Sequence, residues 1–151
     1  MRALLDVNVL IALAWPNHLH HELVTRWFRR QQRNGWATCS VSQSGFVRVS
    51  SNSRILPGAK SPGEALSLLR ELVALPHHHF LPDEVSLATS ELINPQRIMG
   101  HRQVTDAHLL AVALSNDAQL ATLDRGIRLL VPEGRVAEEA VRLLTEAGSG
   151  A

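Results

Sequence analysis

At 151 residues, with 45% hydrophobic and 19% charged side chains, the chain is sized for one domain with a sizeable core of its own, without staples. A net charge of +1 excludes a general cationic coat for nucleic acid, and a single cysteine, Cys39, excludes an internal disulfide. No apolar run reaches the roughly 18 residues of a membrane span, and Asp6 interrupts what would be the apolar part of a signal peptide, so the expectation is a cytoplasmic protein with no membrane partner.

Ala3, Leu4 and Leu5 are too few for a helix and apolar enough for a buried strand, whereas Val9, Leu10, Leu13 and Ala14 recur at helical spacing. Asp6 then stands at a strand's carboxyl end, where open parallel sheets place their ligands. A helix cap by Asp6 or Asn8 is the plainer alternative. Trp15, Pro16 and Asn17 break the helix, and His18, His20 and His21 beyond it read as loop and helix-start histidines. A second helix over residues 20–32 buries Leu23, Val24, Trp27 and Phe28, with Arg26, Arg29, Arg30 and Arg33 on its far side and at its C-terminal end. All basic residues but Lys60 are arginine, which suits phosphate contact, although a GC-rich genome produces the same bias. Asn34 and Gly35 end the helix, and residues 36–39 read as a short strand.

Residues 40–51 fit a helix opening on Ser40 or Ser42, with Gly45 counting against it. The polar stretch 50–63 reads as a loop. Ser61, Pro62 and Glu64 then spell a helix start, and Ala65, Leu68, Leu69, Leu72 and Val73 supply its buried face up to Pro76. His77, His78 and His79 in an extended segment point alternately to opposite faces, so they do not converge on one ion. Asp83 and Glu84 predict a short helix through Leu92. Residues 104–114 form a helix with Thr105 and Asp106 at its start, and residues 119–124 a strand ending in Asp124, after which Arg125 and Gly126 turn the chain. Residues 141–144 fit either a last strand or the end of a helix begun near Glu138. The domain spans residues 1–146, and 147–151 are expected to fray.

Alternating strands and helices predict a parallel sheet whose right-handed crossovers gather the strand ends at one edge. Of five aspartates, two end predicted strands and a third opens a helix, so Asp6, Asp106 and Asp124 face one crevice. Such a cluster repels itself unless it is partly protonated or binds a cation, and all-oxygen ligands suit Mg²⁺ or Mn²⁺.

Four motifs in order, Leu4-Leu5-Asp6-Val7-Asn8-Val9-Leu10, Cys39-Ser40-Val41-Ser42-Gln43-Ser44-Gly45-Phe46-Val47-Arg48, Val104-Thr105-Asp106-Ala107 and Leu120-Ala121-Thr122-Leu123-Asp124-Arg125-Gly126, resemble the PIN-domain toxins of bacterial VapBC toxin-antitoxin modules. The resemblance covers nearly the whole chain. It implies a three-layer α/β/α sandwich around a mainly parallel sheet of four to five strands. It also implies a Mg²⁺-dependent endoribonuclease toxin, with Mn²⁺ as a substitute, that cuts RNA such as tRNA or rRNA to arrest translation and growth. A cognate VapB-type antitoxin and a homodimer follow from the same likeness. By motif, Asp6, Asp106 and Asp124 match the family's catalytic, metal-binding acids. Where many PIN domains carry a glutamate, this chain has Gln43, whose amide oxygen can still meet a metal or its water but brings no charge. Glu84 and Glu91 are the candidate replacements. Asn8, Ser42 and Thr105 are candidate hydrogen-bonding partners of ligand or phosphate, with capping as the alternative, and Arg102 and Arg125 are candidate phosphate contacts.

Two rivals stand beside this reading. Haloacid-dehalogenase-like phosphatases use an aspartate at the end of the first strand, but they want a second one two residues on, where this chain has Asn8. A degenerate PIN domain, with Gln43 in the site, would bind RNA or antitoxin without cutting.

Overall fold

In the computed structural model, which describes residues 1–146, five short strands form one all-parallel sheet. They are β1 (Ala3–Leu5), β2 (Trp36–Thr38), β3 (His78–Phe80), β4 (Gln119–Thr122) and β5 (Val141–Leu143), in the order β3-β2-β1-β4-β5. Leu4 pairs with Ala37 on one side and Leu120 on the other. The expected tail, residues 147–151, lies outside the described residues.

Because side chains alternate across a strand, β1 feeds two cores. Ala3 and Leu5 pack on one face with Val9, Val24, Trp36 and Phe46, largely under α1 (Val7–Ala14), α2 (His21–Gln31), α3 (Ser40–Ser50) and α4 (Pro62–Val73). Leu4 packs on the other with Leu109, Leu110, Leu120 and Val141, under α5 (Gln103–Ser115) and α6 (Ala137–Ala140). The result is the expected three-layer sandwich. Near-continuous apolar runs are what strands covered on both faces require. Among the described residues no helix is long and apolar enough to cross a membrane.

Local chemistry sets the element ends. Ser61 and Glu64 cap α4 reciprocally, the Glu64 N–H donating to Ser61 Oγ and the Ser61 N–H to Glu64 Oε1, both at 3.2 Å. Gly35 turns the chain into β2 at φ +94°, a left-handed conformation that glycine adopts without strain. Gly45, which weakened the helical reading of residues 40–51, is explained by packing. A Cβ there would stand 2.6 Å from a Val7 methyl, so glycine lets α3 lie against the start of α1, one residue from Asp6. The ambiguity at residues 141–144 resolves as a strand, β5, preceded by one turn of helix over Ala137–Ala140.

α3 opens at Ser40, one of the two starts expected, and Ser42 completes that start: its hydroxyl accepts from the Cys39 N–H at 2.9 Å and donates to the Cys39 carbonyl at 3.1 Å. One expectation is corrected. Residues 83–92 form no helix. Asp83 Oδ1 accepts from the Val85 N–H at 3.1 Å while its Oδ2 pairs with His108 Nε2 of α5 at 2.7 Å. The segment that follows is mostly exposed and packs only Val85 and Leu92 against the core, which is little buried apolar surface to hold a short helix.

Candidate active site

The sheet order reverses beside β1: the chain builds outward to β3, then returns to add β4 and β5 on the other side. Ligands of open parallel sheets bind beyond the strand ends at such a switch point, and the residues following β1 and β4 include Asp6 and Asp124. The Asp6 N–H donates to the Ala121 carbonyl at 2.9 Å, which locks the two strand ends together.

Asp6 is only 5% exposed. Its Oδ1 accepts from the Val7 N–H at 2.7 Å, and its Oδ2 accepts from the Thr122 hydroxyl at 2.7 Å. The two readings of Asp6 are therefore compatible, since the side chain that caps α1 also faces the crevice. Thr122, fully buried, in turn accepts from the Asp124 N–H at 3.0 Å. Asp124 Oδ1 accepts from the Gly126 N–H at 2.8 Å and shapes the turn that follows. Asn8 Oδ1 accepts from the Leu123 N–H at 3.3 Å, tying α1 to the same connection.

Asp106 joins them from the first turn of α5. Burial, reinforced by the charges of Asp6 and Asp124, pushes its carboxyl up to about 6 from an ordinary 3.8. Burial also raises Asp6, against the hydrogen bonds from Thr122 and Val7, and Asp124 adds to the rise. Glu84 and Glu91 are not among the charges that act on either group. Asp6, Asn8, His18 and Asp106 line one cavity of about 450 Å³, walled on its apolar side by Ile11, Val49, Ile55 and Leu56. Asp124 is exposed and stands outside that lining, coupled to it through charge and through Thr122.

Gln43 goes elsewhere. Its Nε2 donates to Thr38 Oγ1 at 2.9 Å, Thr38 Oγ1 meets His78 Nε2 at 2.8 Å, and the side chain lines a separate cavity of about 590 Å³ with Val47, Leu66 and Phe80. Ser42 is buried in its capping bonds. Thr105, Arg102 and Arg125 are exposed beside the acidic motifs. Sequence reasoning missed Thr122, visible only as the residue two before Asp124, and His18, delivered by a turn.

Among the described residues no three His, Cys, Asp or Glu side chains close into a ready ligand cage. The donor set nevertheless fits a hard divalent cation: three carboxylates within electrostatic reach and, among the described residues, no lysine or arginine lining the cavity. Thr122 aims this set, which gives a first prediction. Thr122→Val removes a donor to Asp6 and an acceptor for Asp124, lowering stability by about 1–2 kcal/mol and kcat roughly tenfold with little change in KM. An unchanged kcat would show that the backbone alone aims Asp6.

Comparisons with known proteins agree with this architecture. A PIN-domain family profile matches residues 3–131. Ribonuclease VapC38 of Mycobacterium tuberculosis is 45% identical over 131 residues, covering 87% of this chain and 91% of that one. Ribonuclease VapC44 of the same species is 40% identical over 143 residues, covering 95% and 100%. A chain in a crystal structure of VapBC2 from Rickettsia felis bound to a promoter DNA fragment superposes with a TM-score of 0.62 at 12% identity, over 96% of this chain and all of that one. The last likeness concerns the fold, and the first three carry the assignment: the chain belongs to the PIN-domain family, among the VapC ribonucleases.

Proposed function

We propose that the chain is the toxin of a type II toxin-antitoxin pair, a homodimeric endoribonuclease dependent on Mg²⁺, with Mn²⁺ as a substitute, and silenced by a VapB-type antitoxin. tRNA or rRNA is the proposed substrate. The observation that carries this reading is that Asp6 and Asp106 share one cavity at the switch point, with the Asp106 carboxyl pushed up to about 6 by burial and by the charges of Asp6 and Asp124. Carboxylates that repel one another in this way are suited to a divalent cation.

Asp6, Asp106 and Asp124 are the residues that would hold the ion. When bound, it supplies a Lewis acid that acidifies water and offsets the charge gained by the phosphodiester. Asp6 is oriented by Val7 and Thr122, so its remaining lone pairs point in a fixed direction. Asp106, half-buried and with no side-chain hydrogen bond among the described residues, is the least constrained of the three, and a carboxylate oxygen it does not lend to the ion can take a proton from an attacking water. Arg102 and Arg125 are proposed to steady the RNA backbone on either side.

One observation favours the degenerate alternative. Gln43 is neutral and engaged with Thr38, leaving the site one acidic group short of the fuller family pattern. The experiment that separates the two is incubation of the purified protein with total RNA under Mg²⁺, Mn²⁺ or excess EDTA, followed by mapping of new 5′ ends. Discrete cuts that need the cation support the nuclease. RNA binding without cuts supports the alternative.

A further inference from the structure

The turn after α1 carries His18 into the cavity of Asp6 and Asp106. Its backbone is fixed on both sides, the His18 N–H donating to the Trp15 carbonyl and the His21 N–H to the His18 carbonyl, each at 3.0 Å. Its ring is fixed as well, because the His20 N–H donates to His18 Nδ1 at 3.0 Å. A ring nitrogen that accepts a backbone N–H carries no proton, so the neutral imidazole keeps its proton on Nε2. Protonating Nδ1 would set two donors against each other. Burial, and then the neighbouring His20 and His21, act in the same direction and hold the His18 pKa below its ordinary value. Nε2 has no hydrogen-bond partner among the described residues.

The cavity has few groups of the kind that His18 supplies. Its carboxylates repel phosphate, and among the described residues no lysine or arginine lines it. Asn8, its other neutral polar side chain, is tied through its Oδ1 to the Leu123 N–H, so its amide NH2 is the one other neutral side-chain donor of that lining. A fixed N–H donor attracts an anionic oxygen without adding a positive charge that would oppose a cation at the aspartates. We infer that His18 is an RNA-binding residue of this site, a neutral imidazole of fixed tautomer whose Nε2–H donates to a phosphodiester oxygen held beside Asp6 and Asp106. The inference rests on the ribonuclease reading above and adds to it the contact that seats the substrate.

Two near-isosteric substitutions separate this role from a structural one. In His18→Asn the amide oxygen stands where Nδ1 does and still accepts from the His20 N–H, but the distal donor is gone. In His18→Gln the amide nitrogen reaches toward the position of Nε2, and the bond from His20 is lost. RNA binding through Nε2 predicts that His18→Asn keeps the wild-type melting temperature yet raises KM about tenfold, the scale of one lost hydrogen bond to a charged group, while kcat falls much less. His18→Gln then melts earlier but recovers most of the KM. The inference is overturned if His18→Asn matches wild type in KM, or if His18→Gln is the more impaired of the two at a temperature where both are folded. Wild-type protein that cuts no RNA with either cation would instead remove the nuclease reading, and this inference with it.

Discussion

Asp6→Asn protein stays folded and cleaves RNA at least about a thousandfold more slowly than wild type, the scale expected when a ligand of a catalytic cation is lost. Its induction no longer arrests growth. Asparagine is nearly isosteric with aspartate, so its carbonyl oxygen can keep the 2.7 Å bond from the Val7 N–H. Its amide nitrogen then faces the Thr122 hydroxyl, which already accepts from the Asp124 N–H and has a second lone pair to accept from the amide. Burial disfavours the Asp6 charge, so neutralising it removes a strain on the fold. What disappears is a negative oxygen aimed into the crevice. Cleavage rates on total RNA, melting curves and growth after induction check this. Full cleavage by folded Asp6→Asn, or by wild type in excess EDTA, would sink the assignment. Asp106→Asn is the companion variant, because among the described residues no hydrogen bond of that side chain is at stake and a loss of activity there is not a folding defect.

How much of this site was legible depended on whether a residue's role is local. Ala3-Leu4-Leu5-Asp6 and Leu120-Ala121-Thr122-Leu123-Asp124 carry their meaning in order, since buried apolar strands that lead to a carboxylate have few other uses in a parallel sheet. Asp106 was legible as a first-turn acid, and its company became evident only from the other two. Gln43 was legible as a departure in a motif. Its orientation was not, because it depends on Thr38 and His78, which lie on two different strands. His18 was hidden for the same reason: a histidine in a turn has no periodicity, and only the packing of α1 against the sheet puts that turn over the cavity. The failed helix at residues 83–92 has a similar cause. Asp83 looked like a cap, and it does bond the Val85 N–H, but its other oxygen is drawn to His108 across the fold.

The raised pKa of Asp106 makes the folded state itself a sensor of proton and cation. In the unfolded chain this carboxyl titrates near 3.8, and in the folded protein at about 6 because of burial and then of the Asp6 and Asp124 charges. Between those two values the folded state holds more protons than the unfolded one, so this group's contribution to stability falls as pH rises, and the loss is complete above about 6. His18 and His78, whose pKa values are lowered mainly by burial, act in the opposite direction, losing stability as pH falls below 6.5. Total stability therefore mixes the two trends, whereas the difference between wild type and Asp106→Asn isolates the carboxyl. In EDTA at pH 7.5 the asparagine variant is expected to be the more stable by about 1 kcal/mol, a figure discounted for the partial exposure of Asp106. That gap should close as pH approaches 4. Added Mg²⁺ reverses the order at neutral pH, because a cation that binds the ionised cluster stabilises the wild type by mass action and the variant less. Urea unfolding of both proteins from pH 4 to 7.5, with EDTA and with Mg²⁺, measures all of this. A gap that ignores pH, or a wild type that gains nothing from Mg²⁺ over its variant, would mean that the three aspartates are not one titrating site.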